Sequence, residues 1–302
     1  MRRALSLKRF LDVFKLISIT NFILISSVVL VVLVLFATSL PIVLRDGVSP
    51  LIHSIWNPVS EEYGFLFALG GTVVTASLAL AISLALSIGL AAVYAEYIPD
   101  KLRPVVKNFM DLAASIPSVI YGLWGLKVLS PVLRSYVMEP LVSLGLSPYL
   151  GHPSPTGTSL FSAAVLLAVM VTPLSSSIIR ERLVSIPMHI REALYSLGLM
   201  KTEVVLLELK YIRRSILTAM AVSYSRAVGE TAAVAMVVGN VVNPYFFKIF
   251  RPGYTISSLI ADQYPNAEAY YYMVPALFYA ALVLFFISLA VNFLLLKSGE
   301  RT

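Results

Sequence analysis

The sequence predicts an all-α polytopic membrane protein with six transmembrane helices. Three observations carry that expectation. The 302 residues are 58% hydrophobic and 13% charged, with a mean hydropathy of +0.85, where a soluble domain has about 45–50% and about 25%. Six stretches reach or approach the roughly 20 apolar residues that cross a bilayer as helix. Between those stretches, Lys and Arg alternate from dense to sparse. Helix is the open-chain choice because each backbone group must find its partner within the segment.

The first stretch, residues 17–44, carries no charge between Lys15 and Arg45. Its basic start and the small residues Ala37 and Ser39 imitate a signal peptide, but the apolar run is about twice a normal h-region and reads as an uncleaved anchor. The second runs 65–95 and stays uncharged up to Glu96. The third, 105–129, is weaker: its charge-free centre lies between Asp111 and Lys127 and contains Pro117. Lys127, near the outer end, can snorkel, and Lys107 and Asp111 are spaced for an i,i+4 ion pair. The fourth, fifth and sixth stretches are 159–179, 215–242 and 272–296.

Seventeen of the 23 Lys and Arg fall on one side of this arrangement, and four, Arg45, Arg134, Lys248 and Arg251, fall on the other. Lys127 and Arg226 lie within spans. The positive-inside rule therefore puts both termini in the cytoplasm and the protein in the cell membrane as a multi-pass chain. This distribution accounts for the net charge of +7 and disfavours a nucleic-acid surface, which gathers its basic groups on one face.

The outer connections 45–63, 130–158 and 243–271 are rich in aromatics or proline; they suit an interfacial belt or a docking face for an extracellular partner. The cytoplasmic connection 180–214 is long, charged and helical in pattern. Pro187 suits a first turn, and Gly198 suits a stop. The expected organisation is a segment 1–64, holding the cytoplasmic start, first helix and outer loop; a five-helix core 65–296 with the loop 180–214; and a cytoplasmic tail 297–302.

Composition and motif exclude several functions. A soluble enzyme and a disordered chain do not fit this hydropathy. Cysteine is absent, so thiol catalysis and thiolate metal sites are out. No GxxxxGK[ST] occurs to cradle a nucleotide, no HExxH or carboxylate cluster suggests a metal or cofactor, and no serine sits in a GxSxG elbow. The informative charges are Arg226 and Glu230, midway along the fifth span. A separation of four puts them on one face of a continuous helix, where a charge costs about 2.5–3.5 kcal/mol at the bilayer centre. Mutual pairing lowers that cost, and a buried lock between helices and the lining of a polar pathway both remain open. Ala221, Ser225, Gly229 and Ala233 repeat at four-residue spacing and allow close helix approach.

Residues 191–198, REALYSLG, resemble the EAA loop of ABC importer permeases. Residues 115–126, SIPSVIYGLWGL, and 226–240, RAVGETAAVAMVVGN, resemble the PstC-type permeases of phosphate ABC transporters. Trp56, Asn57, Pro58, Tyr63, Gly64, Gly71 and Thr72 also fit that pattern. The EAA pattern departs at Leu194, where the family has a second Ala, and in lacking the later Leu-Pro. The resemblance implies a type I ABC importer permease of MetI-like architecture, moving inorganic phosphate inward. Its implied partners are a separate ATP-binding subunit, a PstA-like second permease, an extracytoplasmic phosphate-binding protein and membrane lipid. It implies no enzyme activity of the chain's own. Arg226 and Glu230 become candidates for the substrate pathway, Pro117, Tyr121 and Gly122 for its gate, and Glu192, Ala193 and Gly198 for coupling to the ATPase. A PstA-type role, another oxyanion such as sulfate or molybdate, and a proton-coupled secondary transporter using Glu230 remain alternatives.

Overall fold

The computed structural model describes residues 2–300. Met1 and residues 301–302, the end of the expected tail, lie outside the described residues; the rest of that tail continues the last helix. Helix α1 (Arg2–Asp46) has 45 residues, far more than a bilayer requires, and its apolar section is Ile17–Asp46. That section packs chiefly against α11 (Met273–Glu300) and leaves Phe22, Leu30 and Phe36 exposed. An apolar helix uncovered on most of its circumference is a lipid-facing helix.

A turn and a small hairpin, β1 (Trp56–Asn57) against β2 (Glu62–Tyr63), lead into α2 (Leu66–Glu96). α2 lies along α5 (Leu160–Val184) in the most extensive helix contact of the fold. Small residues explain the closeness. Ala76, Ala79, Ser83, Ser87 and Ala91 line the buried face of α2, and Ala163, Ala164 and Ala168 are fully buried on α5. Between lipid-solvated helices there is little hydrophobic drive, so backbone approach and hydrogen bonds supply the attraction. The Ser87 hydroxyl donates to the Thr172 carbonyl at 3.3 Å, and the Ser175 and Ser223 hydroxyls are paired. α8 (Arg213–Gly229) packs against α2, α5 and α11, with the Asn292 amide donating to the Ser225 hydroxyl at 2.6 Å.

Two of the six expected spans are not simple helices. The third is α3 (Arg103–Ser115) followed by α4, which runs from Ser118 to Leu150 after a bend of 88°. The bend falls at Ile116 and Pro117, both extended. Proline cannot continue a helix from the residue before it. Most of the stretch expected as an outer loop is thus helical. Pro131, Pro140 and Pro148 each begin a helical segment, where their missing N–H is harmless. Widened π turns at Gly125–Leu129, Arg134–Met138 and Val142–Leu146 accommodate them.

The fifth expected span is broken. α8 stops at Gly229, Glu230 is extended (φ −71°, ψ 124°), and a six-residue helix α9 (Ala232–Val237) follows. Among the described residues four helices are long and apolar enough to cross a membrane, or five with the bent pair taken as one. The difference from six lies at Glu230. Beyond α9 the chain returns over the bundle to α10 (Ile256–Gln263), capped by the Thr255 hydroxyl. Ile42, Phe65, Phe67, Leu259 and Leu277 close this end of the molecule in one apolar cluster joining α1, α2, α10 and α11.

Candidate pathway and coupling elements

The two sequence segments with the most specific resemblance meet in space. α4 and α9 pack together. A Cβ built on Gly122 would lie 2.7 Å from the Met236 sulfur and 3.0 Å from the Ala233 Cα; one on Gly125 would lie 2.8 Å from a Leu166 methyl. Glycine at both positions allows this approach without displacing those atoms. Across the bend, the Tyr121 hydroxyl donates to the Ala113 carbonyl at 2.9 Å, tying the start of α4 to the end of α3. Pro117, Tyr121 and Gly122 thus form the bend, its tie and its contact with the broken span. The opposite face of this segment, with Val119, Ile120, Leu123 and Trp124, is exposed.

Arg226 and Glu230 do not share a helical face, because the helix ends between them. Among the described residues they form no ion pair with each other. Arg226 sits in the last turn of α8 and is exposed, where the negative end of a helix favours a cation. The Glu230 carboxylate turns forward and accepts from the Ala233 N–H at 3.3 Å. The Glu230 carbonyl, freed by the break, accepts from the Ser257 hydroxyl at 2.9 Å. Each charge therefore rests on its own half-helix. Among the described residues no hydrogen bond or ion pair holds the Arg226 guanidinium, which lies beside a point of non-helical backbone; at membrane depth such backbone is tolerated where it is buried or lines a cavity.

At the other end of the bundle, Pro187 leads into α6 (Met188–Ser196). The chain reverses at Gly198, whose φ of +78° suits glycine, and continues as α7 (Lys201–Tyr211). Glu192, Ala193 and Gly198 are all exposed. Behind them lies an anchor that the sequence motif does not reveal. Arg191 donates to Glu208 at 2.7 Å and to the Leu183 carbonyl at 3.2 Å, and lies 3.3 Å from Glu96. Tyr195 donates to the other Glu96 oxygen at 2.7 Å. One guanidinium thus serves two buried carboxylates from different helices. Burial pushes the Glu208 carboxyl above the usual range, against the pull of Arg191. Burial, then the bond to Glu96, pushes the Tyr195 phenol up to about 12. The signal in the sequence was weak: Glu96 and Glu208 are single carboxylates in apolar surroundings. The ion pair expected between Lys107 and Asp111 is not formed, because Asp111 turns to Arg180 at 3.8 Å.

A family model described as binding-protein-dependent transport system inner membrane component matches residues 83–296. The chain is 39% identical to a probable phosphate transport system permease protein PstC of Methanocaldococcus jannaschii, over 95% of this chain and 92% of that one. It is 40% identical to the phosphate transport system permease protein PstC of Xylella fastidiosa, over 82% of this chain and 76% of that one. Among solved structures, an inward-facing conformation of the MetNI methionine ABC transporter matches with a TM-score of 0.54 at 17% identity, covering 76% of this chain and 90% of that one. At that identity the match speaks for the fold.

Proposed function

The chain belongs to the family of binding-protein-dependent transport system inner membrane components, and on that premise we propose that it is the permease subunit of an ABC importer carrying inorganic phosphate inward. The observation that carries the substrate is the extended similarity to permeases named for phosphate transport. Chemistry in the broken span supports it. A bare anion cannot cross hydrocarbon, so a pathway needs a fixed cation that releases its ligand. Arg226 meets that need: the planar fork of its guanidinium matches phosphate. Glu230, held by the Ala233 N–H, leaves Arg226 uncommitted while limiting the local excess of positive charge.

The pathway in this reading is gated at Pro117, Tyr121 and Gly122 and runs between this chain and a PstA-like second permease, which contacts the exposed face of α4 with Val119, Ile120, Leu123 and Trp124. The division into 1–64, a core 65–296 and the tail 297–302 follows, with the first helix at the periphery. ATP hydrolysis belongs to a separate subunit, since this chain has no phosphate-cradling loop. That subunit docks on α6 through Glu192, Ala193 and the turn at Gly198. An extracytoplasmic phosphate-binding protein delivers the ion to the opposite face. The density of Lys and Arg around α6 and α7 supports a cytoplasmic position for that end and for both termini.

The test is uptake into vesicles holding the reconstituted complex. ATP-dependent accumulation of phosphate in preference to sulfate is expected, and Arg226→Gln should abolish it while the complex still assembles. Sulfate or molybdate uptake without phosphate uptake would overturn the substrate. Native phosphate uptake by the assembled Arg226→Gln complex would move the pathway elsewhere.

A further inference from the structure

Arg180 is a buried cation that the pathway does not use. It lies near the end of α5, its side chain 3% exposed. The guanidinium is 5.0 Å from the centre of the Tyr94 ring and donates to the Ser177 hydroxyl at 2.9 Å. Its other contact is the Met110 sulfur at 3.7 Å, a weak acceptor. The nearest carboxylate, Asp111, is 3.8 Å away and half exposed. At that distance there is no hydrogen bond. A buried guanidinium ordinarily takes a full, hydrogen-bonded counter-ion, because removing its water is otherwise expensive. Arg180 has none.

Beside it is a cavity of about 210 Å³, lined by Tyr94, Lys107, Arg180, Glu181 and Val184. It is smaller than the roughly 300 Å³ at which drug-sized pockets begin, and suits a small ion with some of its water. Lys107 supplies a second cation at the exposed rim, unpaired among the described residues since Asp111 faces Arg180. Against these stand the Glu181 carboxylate in the wall and Asp111 behind the guanidinium. The cavity lies between α2, α3 and α5, just ahead of Ser185–Pro187 and the start of α6.

We infer that this cavity is a second oxyanion site, at the inner mouth of the permease, held by Arg180 and Lys107 and distinct from the pathway cation Arg226. A tetrahedral oxyanion offers the forked acceptors that Arg180 lacks, while Lys107 closes the site as a mobile point charge. The naming of phosphate as occupant, and of the cavity's side as cytoplasmic, rests on the import reading above; the presence of an anion site rests on Arg180 and its surroundings.

The experiment is equilibrium binding of radiolabelled inorganic phosphate to the membrane complex of permeases and ATPase carrying Arg226→Gln, which silences the pathway cation, with the extracytoplasmic phosphate-binding protein left out. We expect saturable binding that sulfate displaces and chloride at equal ionic strength does not. Adding Arg180→Gln should weaken it at least about tenfold, as loss of a charge-assisted contact implies, with Arg180→Lys intermediate. Lys107→Gln, on an exposed position that leaves the core intact, should weaken it about threefold, and it decides the matter alone if Arg180→Gln fails to assemble. Absence of phosphate binding in the Arg226→Gln complex, unchanged affinity in Lys107→Gln and in any assembled Arg180 variant, or equal displacement by chloride would each overturn the site. Phosphate uptake by the same complex without Arg226→Gln, now supplied with the binding protein, is measured in parallel: its failure with inner-site binding retained overturns the import reading alone.

Discussion

Replacing Arg191 by Met should release α6, the helix proposed to dock the ATPase, without disturbing the membrane bundle. The magnitude follows from burial. Arg191 is 17% exposed, Glu96 6% and Glu208 1%. Removing the guanidinium leaves two buried carboxylates facing each other without a cation, a change that typically costs about 3–5 kcal/mol. If α6 opens locally, its open population rises roughly 200- to 5,000-fold. The chain has no native cysteine, so one can be placed at Ile190, which packs against the cluster of Ala91, Ile179 and Leu183. Maleimide labelling of Ile190→Cys should accelerate by that factor in R191M. The effect also has a sign in pH. Burial already raises the Glu208 carboxyl, and loss of Arg191 removes the group that lowers it. A carboxyl raised in the folded state is protonated more readily there than in the unfolded chain, so acidification stabilises the fold relative to neutral pH. That contribution is full below the ordinary carboxyl range and is lost as pH rises through the folded value. Labelling of R191M should therefore slow as pH falls from neutral, after correction for thiol ionisation, and Glu208→Gln should slow it at neutral pH. Labelling within about twofold of the parent, with no response to Glu208→Gln, would refute the anchor.

Gly122→Leu should force α4 from α9, since even a Cβ there meets Met236 and Ala233; about 1–3 kcal/mol of overpacking should lower the Tm of the assembled complex and its uptake, and an unchanged Tm would contradict the packing. Glu192→Lys, or Gly198→Val at φ +78°, should break ATP-driven uptake while the permease still inserts, measured as ATPase activity without transport; normal uptake in both would remove the coupling role of α6. Single cysteines along residues 115–126 should show at least one position, expected near Pro117 and Tyr121, whose labelling by water-soluble thiol reagents changes between the nucleotide-free and ATP-bound complex; uniform protection in both states would reduce the bend to a packing feature.

The sequence by itself determined which parts of this protein enter lipid. Hydropathy over some 20 residues is a local quantity, and it located the long helices at residues 17–46, 66–96, 160–184 and 273–295 to within a few positions. It also located the exposed helix before Gly198, because a proline entry and a glycine exit are local backbone preferences. The same averaging misled at residues 215–242, where an apolar window hides the break at Glu230. Tertiary partners decided that break: the Glu230 carbonyl is satisfied by Ser257, 27 positions later, and the carboxylate by the Ala233 N–H of the new helix. With those bonds available, leaving the helix costs little, and Arg226 is freed from the pairing that their spacing suggested. The anchor of Arg191 between Glu96 and Glu208 and the lone Arg180 among Tyr94, Met110 and Asp111 were likewise settled by groups on separate helices. Spacing along one chain segment predicts neighbours on one helix; it cannot say which acceptor from another helix arrives first, and in a low-dielectric interior that acceptor decides where each charge points.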